Sequence, residues 1–593
     1  MVDSTAKLPP TPPKCRPGLL RSMLVVSVLY SLLVLVWVVI RVHENLPSES
    51  LPMSIVHLFT NGKHVATPEE LEAEAHALTV KNLPGGATAE RQFRCIGWRA
   101  TTDCSADAAR DLANDKPCNR RVEDAASGYC EIEDVESGER FRVMQRGCST
   151  VKKGATFFCS EAPDFANFHV KGRKAVEKAI APGFNLPNVK EDRDPRAGIV
   201  MVVYPSLLAS AYASVRALRE VLKCTLPIEI WFRSDELKRV PGALEPLQEL
   251  AKKDNVSEIT FREISDRRAL RFAAKVHAVY NSAFDQVLFL DADNVPVRDP
   301  AYLFESDEFV RTGAVFWPDF WHPQYTIFHI MGDSLLWQLL DMKYVNMFEQ
   351  ESGQLLIDRR RHASTMELVN FYTFHTPNHF EQLKLVYGDK DLFRYAWIKL
   401  NVPFFMVQAA PAVAGKVVNG SFCGMTMVQH DAGGNVLFLH RNSNKLTGKV
   451  KRQEINYQVE ARTQARLKLL HEGRPPRLND EIVQAELEKL MLTPPPTLEP
   501  PEPDNLPDPA MWTHLWSFRN TSRRVDYRIR SYSGHPDFPE GQRCYGQRNI
   551  TDNEHFYAQR IADLSFSGLE THLRRFAKEG ADLLKQRQAS IHP

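Results

Sequence analysis

The chain has 593 residues, of which 43% are hydrophobic and 25% charged, an ordinary globular composition with room for one large domain and attachments. Lysine and arginine total 74 against 73 aspartates and glutamates. That balance excludes the basic footprint of a nucleic-acid binder, so any charged ligand must be held by a local site.

Residues 1–22 contain Pro9, Pro10, Pro12 and Pro13, which oppose helix formation and predict a short cytosolic tail. Met23–Ile40 is an uncharged run broken only by Ser27, Tyr30 and Ser31. As a helix it would rise about 27 Å, enough for a thin bilayer core. Lys7, Lys14, Arg16 and Arg21 precede it, opposed by Asp3 alone, so the positive-inside bias directs everything beyond residue 41 to the lumen. The run exceeds a usual signal-peptide core and no small-x-small cleavage site follows. A single-pass type II signal anchor is therefore expected, with residues 41–90 as a polar stem.

Cys95, Cys104, Cys118, Cys130, Cys148 and Cys159 define a cysteine-rich module over 91–165. Their spacing is too loose for zinc knuckles. In an oxidising compartment they predict three disulfides, chosen from 15 connectivities. The module reads as a stapled spacer, with an accessory carbohydrate-binding unit as the alternative. Asn255, Asn419, Asn520 and Asn549 each open an Asn-x-Ser/Thr sequon, expected on glycosylated luminal loops.

From about residue 190 strands and helices alternate, predicting an α/β domain with a mostly parallel sheet over 190–470. Ile199–Val203, Pro227–Phe232 and Gln286–Leu290 read as buried strands. Leu207–Leu222 and Arg267–Phe284 read as helices. Met425–Val428 and Val436–Leu439 read as a strand pair joined through Gly433 and Gly434. Residues 471–510 contain the Pro-rich stretch 494–508, expected as a linker or exposed loop. The last segment, 511–593, is expected to be helical, with an amphipathic helix near 554–587.

The most informative feature is Asp291-Ala292-Asp293 at the end of the third strand. Strand alternation would project both carboxylates to one side, and ligands of parallel α/β sheets bind at strand carboxyl ends. Two carboxylates there suit a divalent cation, and a cation suits the diphosphate of a departing nucleotide. His440, ending a late strand, would complete the metal shell, and Lys445 would reach the diphosphate. An imidazole ligand favours Mn2+ over Mg2+. Arg268, Arg271 and Lys275 would share one helix face along the diphosphate path, Lys275 lying deepest. Glu351 and Gln354, with Asp358 beyond, and Asp389 and Asp391 are the candidate catalytic groups for acceptor hydroxyls or an oxocarbenium-like centre. Asp389 or Asp391 could equally cap a helix.

The phrases GIVMVVY (198–204), CTLPIEIWF (224–232), FLDADNVPVRDPAYLFES (289–306), TGAVFWPDFW (312–321), ESGQLLIDRRRH (351–362), YGDKDLFRYAW (387–397) and FLHRNSNK (438–445) resemble the fungal Golgi α-mannosyltransferases that extend side branches of N-glycans and cell-wall mannan. The resemblance covers about 190–450. It implies a GT-A fold, GDP-mannose as donor, Mn2+, retention of the α configuration, a mannose-containing glycan acceptor, and Golgi membrane topology. Matched by motif, Asp291 and Asp293 would be the metal pair. Pro205-Ser206-Leu207 lacks the glycine-rich turn expected after the first strand, a departure at the nucleotide pocket. The competing readings are a UDP-sugar transferase of the glycogenin-like group and a catalytically silent glycan-binding protein.

Overall fold

In the computed structural model the described residues are 67–68, 80–253, 258–450, 457–492, 502–519, 523–534 and 543–591. The anchor expected at Met23–Ile40 lies outside them, as do the sequons at Asn255 and Asn520. Among the described residues no helix is long and apolar enough to cross a membrane. Every element below belongs to one unit spanning Glu72–Pro593.

The cysteine-rich segment builds a four-stranded sheet from β1 (Lys81–Asn82), β2 (Phe93–Ala100), β3 (Gly128–Asp134) and β4 (Arg140–Arg146), in the order β1-β4-β3-β2. Three disulfides staple it: Cys95–Cys118, Cys104–Cys148 and Cys130–Cys159. The next helix, α1 (Ala162–Ile180), carries Phe165 and Phe168 into the same hydrophobic cluster as the following domain. The module is thus welded to the body rather than held off as a spacer.

Strand–helix alternation then gives β5 (Ala197–Val203), α2 (Leu208–Arg216), β6 (Ile228–Phe232), β7 (Ile259–Glu263), α3 (Ala273–Asn281) and β8 (Gln286–Leu290). After a short strand, β9 (Asn294–Pro296), come β10 (Ala314–Pro318), β11 (Gln350–Asp358), α4 (Ala363–Phe374), α5 (Leu392–Lys399) and β12 (Phe405–Met406). The first sheet runs β12-β10-β11-β8-β5-β6-β7. Strands β8, β5, β6 and β7 are parallel, and β8, β5 and β6 are buried on both faces, as their continuous apolar runs predict. β11 is inserted antiparallel between β8 and β10, so the sheet is mostly parallel, as expected, with one reversed strand. β8 and β10 still point the same way. The helix expected over 267–284 shrinks to Ala273–Asn281, because Arg271 adopts a left-handed φ of 50° just before it.

A second sheet, unforeseen apart from one strand pair, comprises β9, β13 (Ala412–Val418), β14 (Ser421–His430), β15 (Val436–His440), and from the C-terminal segment β16 (His514–Phe518), β17 (Arg530–Ser533), β18 (Arg543–Gly546) and β19 (Phe556–Arg560). Its order is β9-β15-β14-β13-β16-β19, with the β17–β18 hairpin joined to β14. All these pairings are antiparallel. The segment 511–593 is therefore not simply helical. Phe556–Arg560 is a strand where a helix was expected, and among the described residues of this segment the α-helix is Leu569–Ile591. Residues 502–508 are tied down: Asp508, fully buried, accepts from the backbone N–H groups of Thr447 and Gly448. A fourth disulfide, Cys423–Cys544, links β14 to β18. Cys224 is free and buried. Asn419 and Asn549 are exposed, as sequon asparagines must be.

Two buried histidines in the body make a testable feature. Burial pushes His362 and His430 down to about 4. Both are neutral in the folded chain and take up protons in the unfolded chain near 6.5. Their contribution to stability is complete above 6.5 and is lost as pH falls toward 4, on the order of 3 kcal/mol each. Unfolding midpoints measured from pH 7 to 4 should fall, and His430→Gln should flatten part of that fall. An unchanged slope in the variant would contradict the assignment.

Candidate functional site

The site lies where the two sheets meet. The N–H of Asp291 donates to Gly353 O at 2.9 Å, the last rung between β8 and β11, and the N–H of Asn294 donates back to Asp291 O at 2.9 Å. Asp291–Asn294 is thus one turn. The two carboxylates converge through that turn, not through the strand alternation expected from their spacing. Asn294 Nδ2 fastens it to Gly353 O at 2.8 Å and Gln354 Oε1 at 2.6 Å. Asn294 is paired in register with His440 at the end of β15, and the N–H of Arg441 donates to Asp293 O at 3.0 Å.

His440 Nε2 stands 3.4 Å from Asp293 Oδ1 and 3.8 Å from Asp291 Oδ2. One ligand atom from each of these three residues lies within 4.8 Å of the others. On the far side of the ring, His440 Nδ1 is 3.5 Å from Glu351 Oε1. The backbone beneath is Gly353, where a Cβ would come within 2.5 Å of Nδ1. The close approach requires glycine at that point of β11.

Two ammonium groups balance the carboxylates. Lys275 Nζ, in the first turn of α3, donates to Asp291 Oδ2 at 3.1 Å and Ser352 O at 3.0 Å, and lies 3.5 Å from Asp389 Oδ1. Lys445 pairs with Asp293. Burial opposes charge on Lys275, Asp293, His440, Glu351 and Asp389, and the neighbours decide the outcome. Burial would raise Asp293, but Lys445 and His440 hold its carboxyl well below the usual range. Burial would lower His440, but Asp293 and Glu351 raise it to about 10. Glu351, despite burial, is drawn down to about 2 by His440 and Lys275. Asp389 goes the other way: burial, only partly opposed by Lys275, pushes it up to about 6. Two carboxylates and an imidazole, neutralised here by a proton and the Lys445 ammonium, form a donor set whose charge and chemistry suit a divalent cation such as Mn2+.

The other expected groups divide. Asp291, Asp293, His440, Glu351, Asp389, Lys275 and Lys445 come together. Gln354 does not face the cluster's centre; it is fully buried and holds Asn294. Asp391 is committed elsewhere: its Oδ1 accepts from Gln350 N at 2.7 Å and from Arg394 Nε at 2.5 Å. Asp358 accepts from Arg360 N at the far end of β11. Arg268 pairs with Asp266 on the surface. Arg271 is exposed and, among the described residues, makes no hydrogen bond or ion pair to the cluster, because the helix face it was to share begins only at Ala273.

Two groups at the same sheet edge escaped sequence reasoning. Asp319 follows β10 as Asp291 follows β8, and the carboxylate-after-apolar-strand signal could have found it. Lys390 Nζ bridges Asp319 Oδ2 and Glu349 Oε2, both at 2.6 Å, yet burial still pushes Asp319 up to about 7. Tyr204, the residue after β5, is 42% exposed. Its phenol is raised to about 12 by burial and by the nearby Asp293 and Asp291. No pattern in the sequence singles it out.

Residues 196–431 match the family model described as "Mannosyltransferase putative". The chain is 28% identical over 326 residues to the alpha-1,2-mannosyltransferase MNN21 of Candida albicans, covering 46% of this chain and 48% of that protein. It is 28% identical over 277 residues to the alpha-1,2-mannosyltransferase MNN2 of Saccharomyces cerevisiae, covering 40% and 45%. The chain spans about half the length of the curated relatives it matches. Among solved structures, the glycosyltransferase GlyE of Streptococcus pneumoniae is 14% identical with a TM-score of 0.24, covering 36% of this chain and 45% of that one.

Proposed function

We propose, from the match of residues 196–431 to a mannosyltransferase family model, that this chain is a metal-dependent glycosyltransferase moving mannose from GDP-mannose to a mannose-containing glycan. The observation that carries the reading is the convergence of Asp291, Asp293 and His440 at the carboxyl end of β8. An acidic pair there is the arrangement a GT-A fold uses. Asp291, Asp293 and His440 would hold the cation, Mn2+ by their donor set. When bound, that cation supplies positive charge for the departing diphosphate. Lys445, released from Asp293, and Lys275 are the cations within reach of the same diphosphate. Lys275 also fixes Asp291 and Asp389 relative to each other. Asp389 and Glu351 remain as the carboxyl groups beside the reacting sugar, whereas Gln354 and Asp391 hold the frame.

Retention of the α configuration follows from the family resemblance. A luminal Golgi location draws on four disulfides, which require an oxidising compartment, and on the apolar run Met23–Ile40 as a membrane anchor. The test is a donor screen with the full chain, a mannose-terminated acceptor, and Mn2+ or EDTA. Transfer from GDP-mannose that EDTA abolishes is the expected result. Transfer that survives EDTA would refute the metal assignment. Use of UDP-sugars in place of GDP-mannose would refute the donor, and no turnover of any sugar nucleotide would leave only a glycan-binding protein.

A further inference from the structure

Beside the carboxylate cluster the protein exposes aromatic surface that the fold does not use. Tyr387 is 59% exposed and Phe272 40% exposed. Their ring centroids are 5.1 Å apart at 60°. Phe328, buried, continues the row 6.2 Å from Tyr387. The turn that carries Tyr387 rests on Phe272: a Cβ on Gly388, whose φ is 64°, would meet the Phe272 ring at 2.3 Å. Both rings are chained to the metal cluster by short segments. Phe272 is three residues before Lys275. Tyr387 is two residues before Asp389, so their Cα atoms are within about 7 Å. Asp389 is 2% exposed, and its Oδ2 makes no hydrogen bond. The cysteine-rich module closes the far end, where Lys152 Nζ lies 4.1 Å above the Phe328 ring.

We propose that the Phe272–Tyr387 ledge, with Asp389 at its inner end and Lys152 of the cysteine-rich module at its outer end, is the subsite for the terminal hexose of the acceptor glycan. The exposed aromatic faces select a neutral sugar. A pyranose presents one face of C–H groups, which pack against the electron-rich faces of aromatic rings. Two exposed rings are too small a surface for a protein interface. The ledge lies next to the carboxylate pair, so a sugar seated there offers its hydroxyl toward the cation-bound donor. The cysteine-rich module then shapes acceptor choice.

The inference rests on the proposed transfer reaction, so its test includes a reading that does not depend on turnover. Binding of a mannose-terminated oligosaccharide to the full chain, without donor, is measured by saturation-transfer NMR and calorimetry. The wild type should bind. The double variant Phe272→Ala/Tyr387→Ala should bind about tenfold more weakly, two aromatic contacts together amounting to roughly that factor, and Tyr387→Trp should restore most of the affinity. In transfer assays the acceptor KM should rise by the same factor with the sugar-nucleotide KM unchanged. Unaltered glycan binding in the double variant, no glycan binding by the wild type, or a rise confined to the sugar-nucleotide KM would each overturn the ledge. Ledge-dependent binding without any transfer would uphold the subsite and overturn the reaction.

Discussion

Asp293→Asn is expected to reduce transfer by about 10²–10³-fold while leaving the fold intact, the usual consequence of losing one preorganised electrostatic contact. The fold survives because Asp293 is fixed through its backbone: its carbonyl accepts from the N–H of Arg441, a bond the substitution leaves in place. The charge does not survive. Asp293 is 6% exposed and faces Lys445 and His440. An amide there cannot share a dication with Asp291, and the Lys445 ammonium loses its partner. Asp291→Asn should behave similarly, with the added loss of the anchor for Lys275. Initial rates at saturating donor across an Mn2+ titration, with circular dichroism for the fold, decide the matter. A variant with near-normal rate at ordinary Mn2+ would show that these carboxylates do not hold the cation.

The second large effect is structural. Replacing Cys423 and Cys544 together by serine should cost about 5 kcal/mol by the chain-entropy estimate, because the bridge closes 121 residues of chain. The bond also holds a weakly joined element. β18 meets β14 at one registered pair, Gly424 with Tyr545, reinforced by Tyr532 Oη donating to Phe422 O at 2.7 Å. Without the bridge the β17–β18 hairpin should detach before the rest of the second sheet unfolds. Denaturant titration of the double variant, followed by limited proteolysis, tests both statements. A midpoint within about 1 kcal/mol of the wild type would mean that the hairpin is held by its packing alone.

The parallel strands β5, β6 and β8 were legible because continuous apolar, β-branched runs bounded by polar residues have few other uses. The metal candidates were legible because a carboxylate pair after such a run is a local signal. The antiparallel insertion of β11 was not, since a fully buried strand reads identically in either direction. The rest of the second sheet, beyond the strand pair at 425–439, was missed because its strands come from 294, 412–418 and 514–560, and no local pattern encodes pairing across such distances. The helical face assigned to Arg268, Arg271 and Lys275 failed for a backbone reason, the left-handed Arg271, which a side-chain periodicity argument cannot see. Gln354 and Asp391 carried the right residue types, yet burial turned both inward to serve the frame.

The union of β9 with β15 governs when the protein becomes competent during its own synthesis. Asp291 and Asp293 emerge early, at the end of a sheet whose parallel strands are close in sequence. Their imidazole partner arrives almost 150 residues later in register with Asn294, on a sheet that is completed only by strands 514–560. Contacts of such long sequence separation form slowly, because the intervening chain must first be gathered. A nascent chain that has folded its first sheet therefore presents an acidic pair without the imidazole of the proposed metal site. On that proposal it stays inert until His440 takes its place, and the site matures with the second sheet.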